Sequence, residues 1–241
     1  VTVRHVAALA EIAAVAVLVG VVLPLRTERR LARLRERIAN DPKARLRFYA
    51  RYLAVAAASL ALCAVVVGTG GEGFDRAGAG WPPYATIRLL PGLLLAELAV
   101  IVVLLVVKVV AKRYDPIALD RGKQLGRVAF LVPETPAERR AWPLVATAIG
   151  LQEEALFRGV FVLYLATLTG VSPWLLAVAA ALVFAVGHRY QAWLGTVVSG
   201  GLGLGFGLVT AATGSIWPAV VLHALFDLRL MFVQRLAARE K

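Results

Sequence analysis

Apolar stretches at 6–25, 52–68, 89–110, 141–168, 173–188, 192–212 and 216–236 alternate with short polar ones along this chain. Each is long enough, or nearly so, to cross a hydrocarbon core of about 30 Å, which takes roughly 20 residues of helix. The pattern predicts an all-α fold: a polytopic transmembrane helix bundle of about seven spans. The first stretch follows Arg4 and His5, is too long for the apolar part of a signal peptide, and runs into arginines where a small-residue cleavage site would be needed. It reads as a retained helix, with His5 at its outer, interfacial end. Leu31, Leu34 and Ile38 recur at helical spacing among arginines, which predicts a cytoplasmic extension of that helix or an amphipathic segment on the inner surface. Asp41-Pro42 ends it. Residues 69–84 are glycine-rich and are expected to form a flexible outer loop closing on Trp81 and Tyr84 at the membrane interface. Thr135-Pro136-Ala137-Glu138 has the spacing of a helix start, with Thr135 as N-cap, Pro136 at the first position and Glu138 completing a capping box.

Composition agrees with the pattern. Of 241 residues 60% are hydrophobic, against about 45–50% in soluble domains, and mean hydropathy is +0.75. A net charge of +12 would suit a nucleic-acid binder, but its location argues otherwise. Residues 26–51 hold ten Lys/Arg and 111–140 hold seven, whereas 69–88 hold only Arg76 and Arg88. The positive-inside rule then places both basic loops, and the tail with Arg235, Arg239 and Lys241, in the cytoplasm; an odd number of spans leaves the N-terminus outside. The charge is thereby accounted for by topology and attraction to anionic membrane lipids. No RNA- or DNA-binding motif accompanies it, so nucleic acid is not an expected partner. The single cysteine, Cys63, lies in an apolar run and reads as a small buried hydrophobe, with no disulfide framework or CxxC metal site. The glycine-dense run 200–207 lies within an apolar span, and its Gly201/Gly205 and Gly203/Gly207 spacing predicts close helix packing.

Polar residues inside the spans carry the chemistry. Glu153, Glu154 and Arg158 fall in one apolar stretch, and each ionised group at mid-membrane costs roughly 2.5–3.5 kcal/mol even on lenient scales, so the cluster is a functional-site hypothesis. Glu154 and Arg158, four residues apart, can pair; Glu153, turned about 100° away, is left to face a cavity. His223 and Asp227 are also four apart on one side of the last helix, and His188 ends the fifth stretch. At about 1.5 Å per residue, Glu153 and His223 each lie about 18 Å from their cytoplasmic helix ends, so they share a depth, with His188 nearer the inner surface. Glu11 and Glu97 sit in other spans and read as buried partners of basic residues or as lining of a wet cavity.

Glu-Glu-x-x-x-Arg, Phe-x-x-x-His and His-x-x-x-Asp, in that order on successive helices, resemble the three motifs of the type II CAAX prenyl endopeptidases. That group is also called the CPBP or abortive-infection-like family of intramembrane proteases. Residues 133–140 and 214–218 are similar to family sequences too, and the resemblance covers about 132–229. It divides the chain into N-terminal membrane helices, 1–131, and a catalytic bundle, 132–241. It implies an endopeptidase in which Glu153 and His188 activate a water, with Glu153 as general base, while His223 and Asp227 steady the oxyanion and Glu154 with Arg158 support the site. Asp227 stands where Asn is more frequent; an ionised Asp accepts hydrogen bonds but donates none, so it donates only if protonated, or orients His223, or ligates a metal. Two mechanisms stay open: a zinc ion on Glu153, His188 and His223, or water held by Glu153 and His188 alone, the reading the lack of an HExxH pair slightly favours. The expected partner is a membrane-bound protein or peptide substrate in the cell membrane of a bacterium. The alternative from another class is a non-proteolytic scaffold or bacteriocin-immunity-type protein of the same fold. A proton-coupled transporter ranks last, because no inverted repeat relates the halves.

Overall fold

A computed structural model describes residues 2–82 and 129–231. The described chain is all-helical, 87% of it in helix and none in strand.

Helix α1 (Val3–Asn40) joins the first apolar stretch and its basic extension into one rod. The Thr2 hydroxyl accepts the His5 N–H at its start, its turns widen to π spacing at Leu18–Val22, and at Asp41 the backbone becomes extended. Of the two sequence readings of residues 26–37, the structure thus adopts the helical extension. Helix α2 (Ala44–Gly70) returns antiparallel and stops where Gly71 takes φ +79°, a conformation that favours glycine. Helix α3 runs through 136–169 as Pro136–Glu154, a wide-turned stretch Ala155–Tyr164, and Leu165–Thr169. It opens with the capping box the Thr135/Glu138 spacing predicts. Helix α4 (Pro173–Gly187), a tight turn Arg189–Gln191, α5 (Ala192–Thr213) and α6 (Trp217–Leu228) complete the described bundle.

Among the described residues three helices have both the length and the composition to cross a membrane: Val3–Asn40, Ala44–Gly70 and Gly195–Thr213. Pro173–Gly187 and Trp217–Leu228 are apolar but shorter, and α3 is long but charged. The count of seven is therefore not confirmed among the described residues. The expected span 89–110 with Glu97, and also Tyr84, Arg88, Arg235, Arg239 and Lys241, lie outside the described residues.

Two polar stitches fix the bundle's ends. At one end, buried Arg45 of α2 donates from Nη1 to Glu138 Oε2 at 2.8 Å and from Nε to the Phe130 carbonyl at 2.8 Å, while the Tyr49 hydroxyl donates to the Leu131 carbonyl at 2.7 Å. The basic segment 26–51 and the start of α3 therefore share that end. At the other, His5 Nε2 lies 2.9 Å from Glu72 Oε1, and the Tyr164 hydroxyl donates to the Val67 carbonyl at 2.9 Å. The glycine-rich outer loop differs from its expected flexibility. Its carbonyls at Gly78, Ala79 and Gly80 accept from Ile216 N–H, Trp217 Nε1–H and the Ser215 hydroxyl, which docks it on the start of α6.

Between the ends, α1 to α4 bury one apolar core that includes Ile12, Val66, Phe157, Val160 and Phe184. Cys63 is buried in it, as a small hydrophobe would be. Glycines let α5 lie against α4, by one of the two faces the spacing suggests. A Cβ at Gly200, Gly203 or Gly207 would meet Ala185, Phe184 or Ala177 at 3.0 Å, whereas Gly201 and Gly205 have nothing within 4 Å. The packing row is 200/203/207, so of the two predicted pairs only Gly203/Gly207 is used.

Candidate active site

The site exists because α3 and α6 approach closely, and they do so at Gly150. A Cβ there would stand 3.2 Å from the Ala224 nitrogen and 3.3 Å from the Val220 carbonyl oxygen. One turn further along α3, Glu154 faces His223. Glu154 is fully buried, with Oε1 2.7 Å from His223 Nδ1 and Oε2 3.0 Å from Arg158 Nε. A carboxylate on Nδ1 makes that nitrogen the one carrying hydrogen, and it turns Nε2 the other way. On that side lie Glu153 Oε2 at 3.7 Å and Asp227 Oδ2 at 3.8 Å. These separations exceed a hydrogen bond but suit one bridging water.

Arg158 is the cation of the cluster. Its Nη2 donates to the Gly203 carbonyl at 2.8 Å, and its guanidinium lies 4.8 Å from the centre of the Phe184 ring. A Cβ on Gly203 would come within 3.3 Å of Nη2, so the glycine run is also what admits the arginine. The Arg158–Glu154 contact is an ion pair without hydrogen-bond alignment, and Arg158 Nη1 and Glu154 Oε2 have no hydrogen-bond partner among the described residues.

His188 closes α4. Its Nδ1 lies 2.8 Å from the Phe184 carbonyl, which fixes the hydrogen on Nδ1 and leaves Nε2 available. Its ring packs 4.2 Å from Phe184, whose ring also meets His223 edge-on at 6.4 Å, and it lies within electrostatic reach of Asp227. The structure thus brings Glu153, Glu154, Arg158, His223 and Asp227 into one cluster and sets His188 at its margin, with no hydrogen bond between His188 and Glu153 among the described residues. Glu11 is elsewhere, its Oε1 3.4 Å from the Thr69 hydroxyl.

Zinc would need Glu153, His188 and His223 as one ligand set. Among the described residues no three His, Cys, Asp or Glu side chains are grouped so as to hold a metal ion. Glu153, His188 and His223 are not gathered as one ligand set, and no step below runs through a metal.

Sequence reasoning missed the polar lining. The Tyr52 hydroxyl, from α2, donates to Gln152 Oε1 at 3.2 Å. Tyr190 packs against His188 with ring centres 5.8 Å apart and accepts from Gln191 Nε2 at 3.3 Å. Both tyrosines lie within electrostatic reach of Glu153 and Asp227. Their signal was present, as polar groups at the edges of apolar stretches, but there they also mark ordinary span boundaries.

Residues 137–229 match the family model described as Rce1-like: Type II CAAX prenyl endopeptidase Rce1-like. The match contains Glu153, Glu154, Arg158, His188, His223 and Asp227, while Tyr52 lies outside it. The Rce1-like family is a protease family, and three of the described helices are long and apolar enough to cross a membrane. No curated protein and no solved structure gives a significant match.

Proposed function

We propose that the chain is an intramembrane endopeptidase that hydrolyses a peptide bond of a membrane-associated protein or peptide with a water activated by Glu153. The observation that carries this reading is the division of labour around one imidazole: Glu154 holds His223 Nδ1, and Glu153 stands 3.7 Å from the opposite nitrogen.

Glu153 takes a proton from that water, and the oxygen adds to the scissile carbonyl carbon. His223 Nε2, which carries no hydrogen while Nδ1–H is held by Glu154, accepts the water's second hydrogen, and His188 and Asp227 flank the position. The oxyanion needs donors, which the carboxylates cannot supply; the Tyr190 hydroxyl, and the Tyr52 hydroxyl once it releases Gln152, are neutral donors within electrostatic reach of Glu153 and Asp227. When the tetrahedral intermediate collapses, the C–N bond breaks and the proton on Glu153 passes to the leaving amine. The N-terminal helices, 1–131, then serve the catalytic part, 132–241, by supplying Tyr52. In the membrane the basic end faces the cytoplasm, leaving the N-terminus outside, the orientation expected of a bacterial cell-membrane protein.

The test compares fragments in the membrane proteomes of cells carrying wild type, Glu153→Gln or His188→Ala, all checked for equal folded protein. Fragments seen only with wild type support the reading, and their retention with Glu153→Gln sinks it. Stripping metal from the purified enzyme is expected to leave cleavage of such a substrate intact; loss restored by zinc would overturn the metal-free mechanism.

A further inference from the structure

The charge on the basic end is not spread evenly. Where α1 turns into α2 around Asp41-Pro42-Lys43, the two helices diverge and leave a cleft of about 290 Å³ lined by Leu34, Arg37, Ala44, Arg47, Phe48 and Arg51. Three guanidinium groups thus surround a floor of Leu34, Ala44 and Phe48. Arg47 is tied to Asp41; Arg37 and Arg51 are exposed and make no ion pair among the described residues. Among the described residues nothing acidic lines this cleft.

Its level in the bundle matters as much as its charge. Arg51 is the last charged residue before the apolar run that starts at Tyr52, so the mouth of the cleft lies where α2 leaves the hydrocarbon. On α1 the lipid-exposed apolar residues continue as far as Leu25, and the arginine-rich extension begins at Arg26. A ligand here must be anionic on one side, to meet planar guanidinium donors. It must also be apolar on the other, to cover Leu34 and Phe48. Free inorganic phosphate satisfies the first demand only.

We propose that this cleft is a binding site for the headgroup phosphate of an anionic phospholipid, with Arg37 and Arg51 as its phosphate-binding residues and Leu34 and Phe48 beneath the glycerol and upper acyl chains. The site lies outside the Rce1-like segment and apart from the glutamate–histidine cluster, so it stands whether or not the protein is a protease. It gives the N-terminal helices a role that general attraction between arginines and a membrane does not require, because it depends on two particular arginines.

The experiment titrates the full-length protein in detergent with phosphatidylglycerol, with phosphatidylcholine and with sodium phosphate, reading bound lipid by native mass spectrometry and protection by thermal unfolding. Arg37→Gln/Arg51→Gln is compared with Arg29→Gln/Arg33→Gln, which removes the same charge from exposed positions of α1 outside the cleft. Wild type is expected to hold phosphatidylglycerol in preference to phosphatidylcholine, the cleft variant to lose on the order of tenfold in affinity, and the control variant less than about twofold. Equal losses in the two variants would show diffuse charge and overturn the proposal, as would equal binding of both lipids. Full displacement of the lipid by sodium phosphate would overturn the assignment to a lipid. Neither variant touches the site cluster, so a failure here leaves the endopeptidase reading standing.

Discussion

Two buried arginine–glutamate pairs hold this molecule, and they are built differently. At the basic end, Glu138 accepts from Arg45 and from the backbone N–H groups of Glu134 and Thr135, all through Oε2 at 2.8–2.9 Å. Arg45 also reaches Glu134 at 3.1 Å. At mid-bundle, Glu154 has Arg158 on one oxygen and His223 on the other, and a guanidinium nitrogen is left without a hydrogen-bond partner among the described residues. The first pair is locked by its own capping box. The second is held between helices, and its spare capacity goes to a histidine. A saturated knot fastens two helix ends; an unsaturated one in a protein interior is expensive and marks a place where orientation of a side chain matters more than stability.

The largest effect should come from removing the cation at the unsaturated pair. Arg158→Met leaves Glu154 buried without its counter-charge, with an expected loss of about 3–5 kcal/mol, read as thermal unfolding in detergent. Arg45→Met should cost less, about 2 kcal/mol, because Glu138 keeps its two backbone donors. If the two substitutions cost the same, the contrast between the pairs is wrong.

Glu154→Gln sharpens the comparison from the catalytic side. It keeps the shape of the side chain and should lower kcat/KM by about tenfold to a hundredfold while changing the pH profile of the reaction. A stability loss with an unmoved profile would make Glu154 purely structural.

The smallest effect is the pH dependence of the saturated pair. Burial pushes the Glu138 carboxyl up, but the backbone N–H groups of Thr135 and Glu134 and the Arg45 guanidinium outweigh it and hold the group below the usual glutamate value. A depressed carboxylate contributes stability above its unfolded pKa of about 4.3 and loses it as pH falls through the folded value. Unfolding temperature should therefore drop below about pH 4 in wild type, and Glu138→Gln should be lower at neutral pH and flatter across that acid window.

How much of this was legible in the chain depended on range. Thr135 with Glu138, and Glu154 with Arg158, are pairs three and four residues apart on one helix, and helical geometry alone brings them together. The shared depth of Glu153 and His223 was also readable, because rise per residue converts sequence into height. Rotation was not. The sequence suggested that Glu154 turns away with Arg158 while Glu153 faces the site, yet both carboxylates reach His223, one on each ring nitrogen. The wide-turned stretch that starts at Ala155 changes the phase of α3 right after the pair, and no side-chain pattern announces it. The glycine run was half legible for a related reason: several small-residue rows are available in 200–207, and only the neighbouring helix selects the one with Gly203 and Gly207. Tyr52 was missed because it joins the site from more than ninety residues away.

The brevity of α4 has a consequence for the lipid around it. Its 15 residues reach about 22 Å at 1.5 Å each, against a hydrocarbon thickness of about 30 Å. Trp174, Leu175, Val178, Leu182 and Val186 all lie exposed along it among the described residues, the pattern of a helix that faces lipid. A perimeter helix that falls short creates hydrophobic mismatch, which the membrane relieves by thinning beside it. His188 stands at one end of that short helix, where a thinned membrane would bring water closest to its imidazole.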